Sequence, residues 1–503
     1  MPSFRQKVAG FIRQLSNPSE NRPLEDHQPR STSDCFIQRY LSGREVNRDE
    51  PKIVHGRTAY DLPPRSLGVI SKPVVTAMTG PNGGLTTVNQ RQRHLSISDP
   101  DVHFIDIADD DSQSVGSRDA NSNVPVVNAN VIPPPPEYAG AAMFSPLQKS
   151  ESVPNACERI LNKPESSTSV GDIAGVSDWE GGTTFAYGCS TSLYERHPVT
   201  TVPAGEPIAD CFAIVSRKDS AILCLADGVN WGVKASLAAR AGVHGSVQYL
   251  NQALFSWPIG STTEVFVALL RSFHAAHNLI LQEEGMLTTL TTAVVLPLMS
   301  ANRFVVCACN VGDSLAYVYS PKYGVREITQ GSHDLHRMRD MRDALGALGP
   351  VDGQNPELGN LTCSMTEVEP GDIIFLTSDG VSDNLDPVVG KFTGLPTVEA
   401  HQRHKLTLLR TEDLLRNGVS GDGPPCTTAK DVVTLLMDFV TRLTAAKRRI
   451  LEDIELYQEA GGGPLSKGEQ RARRKDVCAK LAMVPGKLDH ATVVAYTVGS
   501  SHS

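Results

Sequence analysis

The stretches ILCLADGVNWG at 222–232 and IIFLTSDGVSDNL at 373–385 decide the fold of this chain. In each, an apolar, strand-like run ends in an aspartate that glycine follows at once. Related patterns occur in FVVCACNVGDSLAYVYS at 304–320 and LDHATVVAYTV at 488–498. Carboxylates at the ends of buried strands are the oxygen ligands that a hard divalent cation needs, and glycine lets backbone or water approach closely. The sequence therefore predicts that acids from separate strands meet at one metal site.

The pattern around these motifs predicts an α+β protein. From about residue 180, short apolar runs alternate with Gly, Asp and Pro signals, as in antiparallel sheets. Helical periodicity interrupts them at 233–255 and 262–284. Strands followed by helices and more strands favour a sandwich over alternating βαβ units. Within this predicted domain at 180–500, the segment 398–478 is helical and charged, and is expected to be an insertion on the rim.

The region 1–175 is expected to be mostly disordered. It is rich in Ser, Asn, Pro and Asp, and it lacks the apolar periodicity needed to offset chain entropy. Residues 3–16 form a basic amphipathic pattern that suits a membrane surface, a partner's groove, a presequence or a transient helix. The sequence PPEY at Pro135–Tyr138 resembles the ligands of WW domains, and a plain stiff linker is the alternative.

Charge and composition exclude several function classes. The chain has 47 basic and 56 acidic residues and a net charge of -9, which gives no electrostatic basis for binding nucleic acid. Ten cysteines without CxxC pairs suit a reducing compartment, so we expect the cytoplasm or the nucleus. The basic run RARRK at 471–475 is either a nuclear signal or a solvated helix face. No apolar run approaches the ~18 residues that span a bilayer.

Together, these motifs resemble the metal-dependent protein phosphatase family, also called protein phosphatase 2C or PPM. DGVNWG stands where the family has DGxGG, and SDGVSDNL resembles its SDGxxD turn. LTTAVVLPL, NVGDSLAYVY and GKLDHATVVAY resemble the GTTA, NxGDSRAY and DNxT strands, in the family's order. The resemblance covers roughly 180–500. It implies a four-layer α-β-β-α sandwich with two central antiparallel sheets.

The resemblance also implies a metal centre. Asp227 would bridge two ions, with the Gly228 carbonyl as a further ligand, and Asp379 and Asp489 would complete the first site. Asp210 would serve the second ion directly or through water. Because the ligands are carboxylate, carbonyl and water oxygens, the expected ions are Mn²⁺ or Mg²⁺.

The implied reaction is hydrolysis of phosphoserine or phosphothreonine in a phosphoprotein by a metal-activated water. In this reading Asp227, Asp379 and Asp489 are the catalytic acids. Asp313 and Asp383 match acids that some members use for a third, weakly held ion.

The substrate-handling positions depart from the family pattern. Gly205 stands where an arginine usually holds phosphate, Ala209 replaces an acid, and Val229 replaces a histidine assigned as general acid. Two interpretations stay open: an atypical but active phosphatase, and a catalytically impaired phosphatase-like scaffold that binds signalling partners. A third, a cysteine-dependent phosphatase built on the C-x5-R spacing of Cys211 and Arg217, is disfavoured because FAIVS between them is a strand sequence without glycine.

Overall fold

The structure is a computed structural model. It describes residues 36, 40, 50–71, 74–79, 179–230, 232–255, 258–300, 302–330, 346–392, 400–458 and 466–499.

The larger of the two main sheets has seven strands, and every neighbouring pair is antiparallel. From edge to edge it contains β1 (Val54–Gly56), β13 (Thr362–Val368), β8 (Phe304–Val311), β7 (Leu290–Pro297), β6 (Ala221–Asp227), β5 (Asp210–Arg217) and β2 (Val74–Thr79).

The smaller main sheet has six antiparallel strands. Its order is β10 (Gly324–Glu327), β9 (Leu315–Ser320), β14 (Ile373–Thr377), β15 (His490–Thr497), β4 (Ala186–Ser192) and β3 (Trp179–Thr183). A separate hairpin pairs β11 (Ala347–Asp352) with β12 (Asn355–Glu357).

Helices cover the outer faces of both sheets. The helices are α1 (Val233–Phe255), α2 (Thr262–Gln282), α3 (Asp379–Leu385), α4 (Ala400–Asn417), α5 (Ala429–Leu451) and α6 (Lys467–Met483). The first two pack together on the seven-stranded sheet, and α5 packs on β15 and β4 of the other sheet. The predicted α+β class and α-β-β-α layering are confirmed, as are the two helices expected after the first aspartate motif.

Strand alternation explains how the two sheets bury their facing surfaces. In β5, Phe212 and Ile214 enter the core between the sheets, as Leu223 and Leu225 of β6 do. Because side chains on a strand alternate between its two faces, Asp210 and Asp227 belong to the same faces as these residues. Both acids therefore lie at one end of the gap between the sheets.

The segment expected to be a rim insertion supplies a core helix instead. Val433, Leu436 and Val440 on α5 are fully buried in a cluster with Tyr317 and Phe375 of the six-stranded sheet. The amphipathic pattern of α5 thus provides the outer layer of that sheet, so only part of 398–478 can be peripheral.

Two strands come from the region expected to be disordered. The strand at Val54–Gly56 pairs with β13, and the strand at Val74–Thr79 pairs with β5 on the opposite edge. For these stretches the expectation of disorder is wrong, because edge pairing orders segments that have no core pattern of their own. Residues 3–16 and Pro135–Tyr138 lie outside the described residues.

Among the helices that the structure describes, none combines the length and apolarity needed to cross a membrane.

Candidate metal centre

Asp210 and Asp227 lie directly opposite each other. They are register partners at the end of the β5–β6 pair, and the Asp210 side chain is fully buried. Directly opposed residues in an antiparallel pair have β-carbons about 4.5–5.5 Å apart, and like charges in such positions destabilise the sheet. This arrangement calls for a positive charge nearby.

The hydrogen bonds of Asp210 leave one of its oxygens open. The Thr492 hydroxyl donates to Oδ2 at 2.7 Å, whereas Oδ1 accepts no hydrogen bond from the residues that the structure describes. Burial raises the pKa of Asp210, whereas the neighbouring His490 and the hydroxyls of Thr492 and Ser378 oppose that shift. A buried carboxylate with an unpartnered oxygen is costly, and a cation ligand would satisfy it.

The other predicted acids surround Asp227. Burial raises the pKa of Asp227, and the negative charges of four neighbours raise it further: Asp210, Asp379, Asp489 and Asp313. The structure therefore brings together acids that are up to 279 positions apart in the sequence, Asp210 and Asp489. Their role as metal ligands stays a prediction.

Lys487 occupies the space among three of these acids. Its Nζ lies 2.6 Å from Oδ2 of Asp379, 2.9 Å from Oδ2 of Asp383 and 3.0 Å from Oδ2 of Asp489. Burial lowers the pKa of Lys487, but the three carboxylates more than offset this, so its pKa is raised. Burial also raises the pKa of Asp383, and the lysine opposes that shift.

The fit to a metal ion consequently differs between the two halves of the cluster. In the described part of the chain, no three His, Cys, Asp or Glu side chains are arranged to hold one ion. Around Asp379, Asp383 and Asp489, the Lys487 ammonium already stands between the carboxylate oxygens. Around Asp210 and Asp227, the opposed charges and the open oxygen fit a divalent cation.

Two predicted contributors are placed by glycine geometry. Gly228 allows the start of α1 to come close, because a β-carbon there would lie 2.5 Å from the Ala235 carbonyl oxygen. Asp313 follows Gly312, whose φ of +99° turns the chain after β8. Its charge acts on both Asp227 and Asp383, so the turn directs it toward the cluster.

Gly205 cannot carry the arginine that the family usually has. A β-carbon there would lie 2.2 Å from the Tyr194 ring, and its φ is +73°. The same ring packs edge-on against His490, with centroids 5.3 Å apart, and its hydroxyl donates to Asp489 Oδ1 at 3.2 Å. An aromatic side chain thus fills the space that a side chain at position 205 would enter, and it hydrogen bonds to a predicted metal ligand.

His490 connects the first and last acid motifs. Its Nδ1 accepts from the Ala209 backbone N–H at 3.4 Å, and its Nε2 hydrogen bonds to the Gly205 carbonyl oxygen. These contacts hold the segment that leads into Asp210, which sequence reasoning did not assign to this histidine. Lys487 was also missed, although the alternation of an extended chain places residues 487 and 489 on one side.

The cysteine-dependent reading is excluded by geometry. Cys211 and Arg217 are buried on β5, on the face opposite to Asp210. Burial raises the pKa of the Cys211 thiol to about 12, which opposes thiolate formation. The Arg217 guanidinium stacks over Phe255, 3.2 Å from its ring centroid. Neither residue belongs to a phosphate-binding loop.

Two facing antiparallel sheets, outer helices and acids gathered at one end of the gap define a PP2C-like fold. No protein-family profile matches the chain. It is 38% identical to the PP2C-like domain-containing protein CG9801 of Drosophila melanogaster, over 99% of this chain and 96% of that protein. The chain therefore belongs to the PP2C-like domain family.

Several solved structures are also similar to this chain. The Mycobacterium tuberculosis serine/threonine phosphatase PstP matches with 16% identity and a TM-score of 0.31, covering 62% of this chain and 99% of that chain. The PstP catalytic domain in complex with two manganese ions matches with 18% identity and a TM-score of 0.30, covering 62% of this chain and 99% of that chain. RsbX in complex with magnesium matches with 11% identity and a TM-score of 0.30, covering 64% of this chain and 100% of that chain.

Proposed function

We propose that this chain is a divalent-cation-dependent phosphatase that hydrolyses phosphoserine or phosphothreonine in proteins. The observation that carries the proposal is the buried pair Asp210 and Asp227, opposed across β5 and β6 with further acids around them. Without a cation here, the protein would either keep two opposed negative charges in its interior or have to protonate one of them.

Mn²⁺ or Mg²⁺ suits the donors best, because carboxylate and carbonyl oxygens are hard ligands. Asp227 and Asp210 would hold the ion, with the Gly228 carbonyl as a further donor. When bound, the ion supplies Lewis acidity toward a phosphoryl oxygen and lowers the pKa of water.

The surrounding residues fix the acids in place. Thr492 orients Asp210 by a hydrogen bond, and Tyr194 does the same for Asp489. Lys487 keeps Asp379, Asp383 and Asp489 together in spite of their mutual repulsion. These contacts hold the carboxylates in position, so that their side chains need not reorganise when a cation binds.

The test is hydrolysis of a phosphothreonine peptide by the full chain in Mn²⁺, Mg²⁺ and EDTA. We expect turnover in either metal and none in EDTA. Asp227→Asn should lower turnover by at least ~10²-fold. The control is Asp438→Asn, which removes a half-exposed carboxylate that pairs with Arg442 on α5, away from the cluster. Equal turnover by Asp227→Asn and wild type would refute the proposed role of this aspartate.

A second candidate function is a phosphatase-like scaffold without turnover. Two observations favour it: Tyr194 fills the space that a side chain at position 205 would enter, and Lys487 stands among three predicted ligands. For this candidate, wild type and Asp227→Asn should show the same background rate at saturating Mn²⁺ while both remain folded.

A further inference from the structure

We propose that the Lys487 ammonium permanently takes the position of one divalent cation, so that the chain binds a single ion, at Asp210 and Asp227. This inference rests on the cation site of the proposed function. The resemblance implies a centre with two metal ions, whereas we infer a centre with one metal ion and the Lys487 ammonium.

The Lys487 ammonium is in contact with three carboxylates. An ammonium has three N–H donors and no acceptor. Here three carboxylate oxygens, one each from Asp379, Asp383 and Asp489, lie 2.6–3.0 Å from the nitrogen. The contacts with Asp379 and Asp383 are charge-assisted hydrogen bonds, which are the strong ones, and the contact with Asp489 is an ion pair. All three partners of the ammonium are residues predicted to bind metal.

The backbone of Lys487 is held as firmly as its side chain. The Asn384 side chain accepts from the Lys487 N–H at 2.8 Å and donates to its carbonyl oxygen at 3.0 Å. Asn384 is fully buried, and the N–H of Gly486, the residue before Lys487, donates to the Val389 carbonyl oxygen at 2.9 Å. A lysine anchored at both ends is not a surface side chain that swings in by chance.

Both carboxylate oxygens of Asp489 already have partners. Asp489 Oδ1 accepts from the Tyr194 hydroxyl at 3.2 Å and from the His490 N–H at 2.9 Å, while Oδ2 contacts Lys487. An ion at this position would have to displace the ammonium and compete with these bonds. Mn²⁺ and Mg²⁺ need oxygens closer than an ammonium does, about 2.0–2.2 Å, so both cations cannot share the space.

The experiment counts bound metal, not turnover. The full chain, stripped with EDTA and dialysed, is titrated with Mn²⁺ and followed by calorimetry and by the EPR signal of free Mn²⁺. We expect one Mn²⁺ per wild-type chain. Lys487→Met, which keeps an unbranched side chain one atom shorter and removes its charge, should bind two.

Two further variants test whether charge at this position is the cause. Lys487→Arg retains a positive charge and should still bind one Mn²⁺. Lys447→Met removes a half-buried lysine on α5, whose pKa is lowered by burial and by the charge of Lys391, and should bind one as well.

Two outcomes would overturn the inference: two Mn²⁺ per wild-type chain, or one in both wild type and Lys487→Met. The wild-type count decides by itself if the methionine variant does not fold. Turnover is measured separately. One bound Mn²⁺ without hydrolysis would refute the proposed phosphatase activity and still support this assignment of Lys487.

Discussion

Replacing Asp210 by asparagine should stabilise the metal-free chain and weaken its response to metal. Asp210 and Asp227 are register partners with β-carbons about 5 Å apart, so two full charges would repel by ~3 kcal/mol at an effective dielectric constant of about 20. Burial raises the pKa of both acids, which lets a proton relieve part of that repulsion. In the variant, the Thr492 hydroxyl donates to a neutral amide in place of a carboxylate, and this weaker hydrogen bond reduces the gain in stability by about 1 kcal/mol. We expect a net gain of about 1–2 kcal/mol.

The assay is thermal unfolding of wild type and Asp210→Asn in EDTA and in excess Mn²⁺. In EDTA the variant should unfold a few degrees above wild type. Mn²⁺ at about 100 times the dissociation constant should stabilise wild type by about 2.7 kcal/mol, and the variant by clearly less. The control Asp438→Asn should behave as wild type in both media. A variant that is less stable in EDTA, yet gains as much from Mn²⁺ as wild type does, would refute the opposed-charge reasoning.

Three further predictions test the surroundings of the site and the fold. Gly205→Ala should destabilise by about 1–3 kcal/mol in urea unfolding, because a β-carbon collides with Tyr194 at a positive φ; an unchanged midpoint would contradict this. Through His277 alone, the free energy of unfolding should fall as the pH decreases below about 6.5, by up to about 1.4 kcal/mol per pH unit. Burial lowers the pKa of His277, whose Nδ1 accepts a hydrogen bond from the Gly349 N–H, so the unfolded chain binds a proton at higher pH than the folded chain does. His277→Gln should remove this contribution from unfolding curves measured from pH 5 to 8. Because the buried acids with raised pKa act in the opposite direction, the test is the difference between wild type and His277→Gln. Leu436→Ala should cost about 2–5 kcal/mol in the same urea assay, since α5 is a core helix, and a cost below 1 kcal/mol would place it on the rim.

The parts of the fold that follow from local pattern could be predicted from the sequence. Strand runs ending in Asp227 and Asp379, and the two helices after the first of them, show in alternation and helical periodicity. Edge strands do not show in this way. The strand at 74–79 owes its pairing with β5 to residues more than 130 positions away, so no local signal marks it.

The aspartates of the candidate site could be predicted from the sequence, but the Lys487 and Tyr194 side chains that contact them could not. Asp210 begins β5 and Asp227 ends β6, so pairing of these antiparallel strands brings the two acids together, as the motifs imply. That Lys487 reaches across to α3 depends on the position of Gly486 and on the Asn384 amide, which are matters of tertiary packing. The loss of arginine at Gly205 was visible in the sequence, but its cause, the Tyr194 ring, was not.

Anomalous diffraction at the manganese edge from crystals grown with MnCl₂ locates every bound manganese ion. We predict one manganese peak per chain, against the carboxylates of Asp210 and Asp227, with the Lys487 nitrogen still in contact with Asp379, Asp383 and Asp489. Two peaks with the lysine displaced, or no peak beside Asp227, would exclude a single-ion centre at Asp210 and Asp227.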